Sequence, residues 1–210
     1  MKRLPLVLIL LLFVSLIING NTVKQATGLS NTDTFAKYRD TIIGNFTGLH
    51  NDTLICEPLD TTPMEGTYFI IWRIRSNNKQ IPSIQVNNVF PLKFTTEGDL
   101  DGNGTDEVGF LKAWPYSTWE VYCALTLING QWNFLIEPQS VWEDHLTDTL
   151  STKDLIKPYN EKYVKVKFST SRYISDTEDV DFCVIDTLIK INTYAITKDS
   201  DFIQIDDLAY

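Results

Sequence analysis

Apolar and polar residues alternate in short runs along much of this chain. The segments 67–75 (TYFIIWRIR), 118–128 (TWEVYCALTLI), 131–136 (QWNFLI), 163–168 (YVKVKF) and 187–196 (TLIKINTYAI) are rich in β-branched and aromatic residues. Period-two stretches of this kind predict strands with one buried face. In 118–128 the alternation puts Trp119, Val121, Cys123, Leu125 and Leu127 on one side. Asn129-Gly130 then separates two such runs, a strong hairpin signal because both residues tolerate positive φ. Helical patterning is confined to 32–40 and, more weakly, 141–147. Residues 146–162 are polar, contain Pro158 and read as a loop or linker. The pattern predicts an all-β fold.

It also repeats. When GNFTGLHNDTLIC (44–56) is set beneath GDLDGNGTDEVGF (98–110), Gly44 falls on Gly98, Phe46 on Leu100 and Gly48 on Gly102. Asp52 falls on Asp106 and Leu54 on Val108, all at an offset of 54 residues. Downstream, 75–84 answers 127–136, with Asn77 on Asn129. Each unit reads as turn loop, strand, strand, hairpin, strand. Several strands in a period of about 50 residues suit a propeller-type blade. A third unit in 163–205 has strands but no matching loop.

The second loop carries the candidate chemistry. Counted from Asp99, oxygen-bearing side chains fall at positions one, three, five and nine: Asp99, Asp101, Asn103 and Glu107. Position seven, Thr105, offers a backbone carbonyl, and Gly102 and Gly104 let so short a loop curl around one point. Hard cations such as Ca²⁺ take six to eight oxygens of these kinds. Position twelve is Phe110 rather than a carboxylate, so the loop closes at position nine and leaves as a strand. The competing reading is an ordinary Asp-Gly and Asn-Gly turn without metal. Acids with no basic residue among them repel one another unless a cation sits between them.

The spacing D-x-D-G-N-G-x-D-E-V resembles the calcium loops of FG-GAP repeats, also called VCBS-type, which form the blades of integrin-α-like β-propellers. The resemblance is close over 44–56 and 98–111 and loose over the intervening strands. It also extends to small exported bacterial proteins that pair such a loop with tryptophan-rich strands. It implies that Asp99, Asp101, Asn103 and Glu107 ligate Ca²⁺ by side chain and Thr105 by backbone, with Asp106 a flanking acid. Family propellers close with about seven blades, whereas this chain has room for three at most. The expected architecture is two or three propeller-like antiparallel blades, as a partial propeller or sandwich-like array. The repeats would cover about 35–88 and 89–145. A linker and C-terminal strands (146–210) would cap the array.

The start of the chain changes the compartment. Lys2 and Arg3 precede an apolar run, Leu4 to Ile18, that is shorter than the roughly 20 residues a membrane span needs. Residues 1–20 read as a signal peptide, which leaves no membrane span once removed. The expected location is periplasmic, cell-surface or secreted. The formal charge of −9 offers no footprint for nucleic acid. Cys56, Cys123 and Cys183 lie in apolar strand-like runs, where a free thiol behaves as a small hydrophobe.

Trp114, Tyr116, Trp119, Tyr122, Trp132 and Trp142 cluster after the acidic loop. Such rings either fill a β core or, when exposed, stack on sugars; Trp114 and Tyr116 flank Pro115 and are the candidates for exposure. His50 and His145 form no H-E-x-x-H pair, and no G-x-S-x-G or Walker loop is present. The reading is therefore not an enzyme. It is an exported calcium-binding β-repeat protein whose ion is structural and which binds a protein or glycan partner, with possible self-association. The alternative is a secreted hydrolase, or its accessory carbohydrate-binding domain, using Glu143, Asp144 or His145.

Overall fold

The computed structural model describes residues 35–64, 67–88, 90–113, 116–148, 152–174, 180–196 and 203–205. The signal segment 1–20, the first residues of the 32–40 helix expectation and Trp114 lie outside them.

The fold is all-β: three antiparallel sheets, none of them closed. The first, sheet A, is built from β1 (Asp40–Gly44), β2 (Asp52–Met64), β3 (Thr67–Ser76) and β4 (Ile84–Asn88), each paired with the next. The second, sheet B, repeats that order with β5 (Lys93–Gly98), β6 (Glu107–Ala113), β7 (Trp119–Ile128) and β8 (Gln131–Phe134). β9 (Gln139–Trp142) pairs with the far end of β7. The third, sheet C, is β10 (Ile156–Asn160), β11 (Tyr163–Tyr173) and β12 (Val180–Lys190). Two short strands extend the meanders: β13 (Tyr194–Ala195) adds to β8 and β14 (Ile203–Ile205) to β4.

Sheet B is the middle layer. Its Val108, Phe110, Cys123, Leu125, Trp132 and Phe134 share one core with Leu54, Cys56, Ile70, Trp72, Ile74 and Val86 of sheet A. Its opposite face gives Leu111, Tyr122, Ala124 and Val141 to a second core with Ile156, Val164 and Val166 of sheet C. Every residue of β6 is consequently buried, even Lys112. A strand covered on both faces loses the clean polar–apolar alternation of a one-sided sheet. Gly109 shows how closely neighbouring strands of sheet B fill this face. A Cβ there would stand 2.0 Å from Glu97 Oε1 and 2.6 Å from the Tyr122 hydroxyl.

Several expectations need correction. Residues 146–162 are not all loop: their described part holds the end of helix α1 (Glu143–Asp148), a 3₁₀ turn at Thr152–Asp154 and β10. Pro158 is tolerated because β10 is an edge strand of sheet C. The run 187–196 is divided between β12 and β13, as the chain crosses from sheet C to sheet B near Asn192, whose N–H donates to the Leu135 carbonyl at 3.3 Å. Within 35–40 the only helix is a 3₁₀ turn, Ala36–Tyr38. The Asn129-Gly130 hairpin is as expected, with φ of 52° and 73°. In sheet A, by contrast, β3 and β4 are joined by residues 77–83.

All three cysteines are free, Cys56 and Cys123 buried and Cys183 half-buried. Burial pushes the Cys56 and Cys123 thiols up to about 12, so neither is a nucleophile at ordinary pH.

Candidate metal centre

The β5–β6 loop, 99–106, leaves sheet B beside the β1–β2 loop, 45–51, of sheet A. Gly102 and Gly104 take φ of 75° and 84°, which turns successive backbone N–H groups inward. Asp99 Oδ1 accepts from the N–H of Gly102 (2.7 Å) and Asn103 (3.1 Å), and Oδ2 from Gly104 (3.0 Å). Asp101 accepts from the Asn103 backbone and side-chain amides, both at 3.1 Å. These bonds hold two carboxylates at the loop centre, and the first residue of β6 supplies a third. Ligand oxygens of Asp99, Asp101 and Glu107 all lie within 4.8 Å of one another.

Glu107 is the unusual member. Its residue is fully buried, and the Leu100 N–H donates to Oε2 at 2.6 Å. Oε1 is buried with no hydrogen-bond partner. The neighbouring Thr126 hydroxyl favours the charged carboxylate but makes no bond of ordinary geometry to it. Burial, reinforced by Asp101 and Asp99, pushes the Glu107 carboxyl up to about 8. Two carboxylates at this separation repel by about 3 kcal/mol at an effective dielectric near 20. An unpaired, buried acid adds a desolvation cost. A hard cation among the three relieves both costs, and an all-oxygen donor set suits Ca²⁺.

Of the five residues expected to ligate, three converge. Asn103 is exposed, and its Oδ1 accepts from the Thr105 N–H at 2.7 Å, so its oxygen is engaged within the loop. Thr105 is half-buried, and its hydroxyl donates to the same Asn103 oxygen. Asp106 points elsewhere. Its Oδ2 accepts from the Asn45 N–H at 2.7 Å, while its own N–H donates to the Asn45 carbonyl at 2.9 Å. With Asn45 Nδ2 donating to the Gly104 carbonyl at 2.9 Å, the acidic loop is strapped to its counterpart.

The carboxylate beside that counterpart is satisfied. Asp52 is buried; Oδ2 accepts from the Thr47 hydroxyl at 2.8 Å and Oδ1 from Asn78 Nδ2 at 2.8 Å. His50 Nε2 stands 3.3 Å from Oδ1.

The expected catalytic alternatives lie side by side on α1. Glu143 and Asp144 are exposed at the start of α1. His145 Nδ1 is 2.8 Å from the hydroxyl of buried Ser169, which also accepts the Trp142 N–H at 2.9 Å. Tyr122 and Trp132 are core residues. Trp119 and Trp142 stack on each other and reach Phe182, half-buried where sheets B and C meet. Tyr116 is 78% exposed.

A further cluster, which the sequence reading missed, lies on the outer face of sheet A. Glu57, Arg73 and Arg75 sit within two residues of one another across β2 and β3, and Arg39 joins from the lead-in to β1. Charged residues at alternate strand positions 73 and 75 were the available signal.

A scan against protein-family models, a search of curated proteins and a search of solved structures each found no match.

Proposed function

We propose that the chain is an exported calcium-binding β protein. Its two meanders are FG-GAP-like units, and a single structural Ca²⁺ stiffens the second so that the sheets act as a binding module. The observation that carries this reading is the unpartnered Oε1 of Glu107, buried beside Asp99 and Asp101. Asp99, Asp101 and Glu107 would hold the ion, with Asn103 and the Thr105 carbonyl completing the shell after Asn103 turns its oxygen inward.

The ion's role is mechanical. It draws the end of β6 onto the loop, and Asp106 passes that constraint to Asn45 and so to sheet A. The experiment is a calcium titration of the purified chain by calorimetry, paired with thermal melts. Binding at one ion per chain with a raised melting temperature supports the reading, because a ligand of the folded state alone stabilises it. Magnesium matching calcium would point to a nonspecific acidic surface.

A further inference from the structure

Three of the chain's five arginines converge on one carboxylate. Glu57 Oε1 accepts from Arg73 Nη2 and Arg75 Nε, both at 2.7 Å. Glu57 Oε2 accepts from Arg39 Nη2 at 2.5 Å and Arg75 Nη2 at 3.3 Å. The layering of charge matters more than the count. The Glu57 side chain is 6% exposed, whereas those of Arg39, Arg73 and Arg75 are 58%, 32% and 33% exposed. The single anion lies at the bottom, and three guanidinium groups rim it.

Asp40 and Asp60, the next acids along these strands, each turn an oxygen to a neighbouring backbone N–H, of Thr41 and Thr61 respectively. Neither pairs with an arginine. Arg73 Nε is buried and has no partner. A network that served only to tie β2 to β3 would be complete with one fork per carboxylate. Here two positive charges remain on a face that neither core uses. Around them stand aliphatic side chains: Ile55 opposite Arg75, half-buried Ile71 opposite Asp60, and exposed Ile43 and Leu59.

We infer that the outer face of sheet A is a docking surface for an acidic protein segment, whose carboxylates take the outer N–H groups of Arg39, Arg73 and Arg75. Guanidinium forks match carboxylates in two-point geometry. Arginine is among the residues that carry most of the energy of protein contacts. A sugar-binding face would instead be built on a row of exposed aromatic rings, whereas Ile55, Ile71 and Leu59 are the apolar neighbours on β2 and β3 here. Glu57 is a positioning residue: it fixes the forks from below and leaves their outer edges open. This inference gives the binding role proposed above a surface and a partner chemistry, and it is independent of calcium.

The test is retention of the full chain on immobilised poly-L-glutamate, with heparin and polygalacturonate as competing matrices. A protein of formal charge −9 has no general affinity for polyanions, so retention is informative. The expected result is salt-sensitive retention on poly-glutamate, weakened roughly tenfold by Arg39→Gln with Arg73→Gln, the loss of one hot spot. Lys157→Gln with Lys165→Gln, which removes equal charge from sheet C, should leave retention intact. Melting curves verify that both variants are folded. Equal loss in both variants, no retention, or an equal or stronger affinity for either polysaccharide would overturn the inference.

Discussion

The two meanders share strand order and the position of their first turn, yet positions that correspond hold opposite chemistry. Thr53, Ile55 and Glu57 on β2 occupy the places that Glu107, Gly109 and Leu111 take on β6. In sheet A these three face outward, and Glu57 collects arginines. In sheet B the same face is covered by sheet C, so Leu111 joins a core and Gly109 leaves space for Glu97 and Tyr122. The loops diverge in the same sense. Asp52 is satisfied by Thr47 and Asn78, while Glu107 keeps a buried oxygen without a partner. One backbone plan thus serves as an open face in one copy and as a sandwiched, charged hub in the other. What differs is the layer laid on top.

Exchanging the corresponding residues breaks the comparison most severely. Gly109→Ile would drive a side chain into Glu97 Oε1 and Tyr122. Overpacking a closed core costs about 1–3 kcal/mol; because Glu97 and Tyr122 crowd the glycine from both neighbouring strands we expect the upper end, read as a large drop in melting temperature. Ile55→Gly, the mirror exchange, should cost only about 1 kcal/mol, since it removes a half-exposed side chain from a strand. Similar losses at both positions would mean that Glu97 and Tyr122 do not close over Gly109.

Next in size is the arginine cluster. Hydrogen bonding from Arg75, followed by the other arginines and against the opposing effect of burial, holds the Glu57 carboxyl down at about 2. A carboxyl lowered on folding contributes stability that is present above its unfolded pKa, near 4.5, and lost as pH falls toward 2. Glu57→Gln should therefore reduce stability at neutral pH and flatten the acid limb between about pH 4.5 and 2. Urea melts across that range measure it. An unchanged acid limb would show that the cluster adds nothing to folding.

The smallest effect separates the strap from the metal. Asn45→Ala removes the side-chain bond to the Gly104 carbonyl but keeps both backbone bonds to Asp106. We expect a loss of about 1 kcal/mol or less, typical of one partly exposed hydrogen bond, with the response to calcium retained.

Legibility from sequence followed the same divide. β3 and β8 were readable because half-buried strands alternate, β7 because it is rich in β-branched and aromatic residues, and Asn129-Gly130 marked its hairpin by φ preference. The 54-residue offset exposed the shared meander. The convergence of Asp99, Asp101 and Glu107 followed from their odd-numbered spacing around two glycines. β10 was hidden because Pro158 argues against a strand everywhere except at an edge, and being an edge is a tertiary fact. The role of sheet C as a cover was hidden as well. Leu111 and Gly109 reveal a second buried face only once Val164 and Val166 are placed against it. Asp106 reads as one more acid in the loop; its turn toward Asn45, 61 residues away in the chain, is a contact that no local pattern encodes.

The difference between the loops is tested most directly by calorimetric titration of calcium into the metal-stripped chain, alongside Asp101→Ala and Asn45→Ala. We expect one site per chain, calcium-dependent stabilisation of the wild type and of Asn45→Ala, and no stabilisation of Asp101→Ala. Absence of calcium binding in the intact chain, or two equivalent sites, would contradict the division of labour between the two loops.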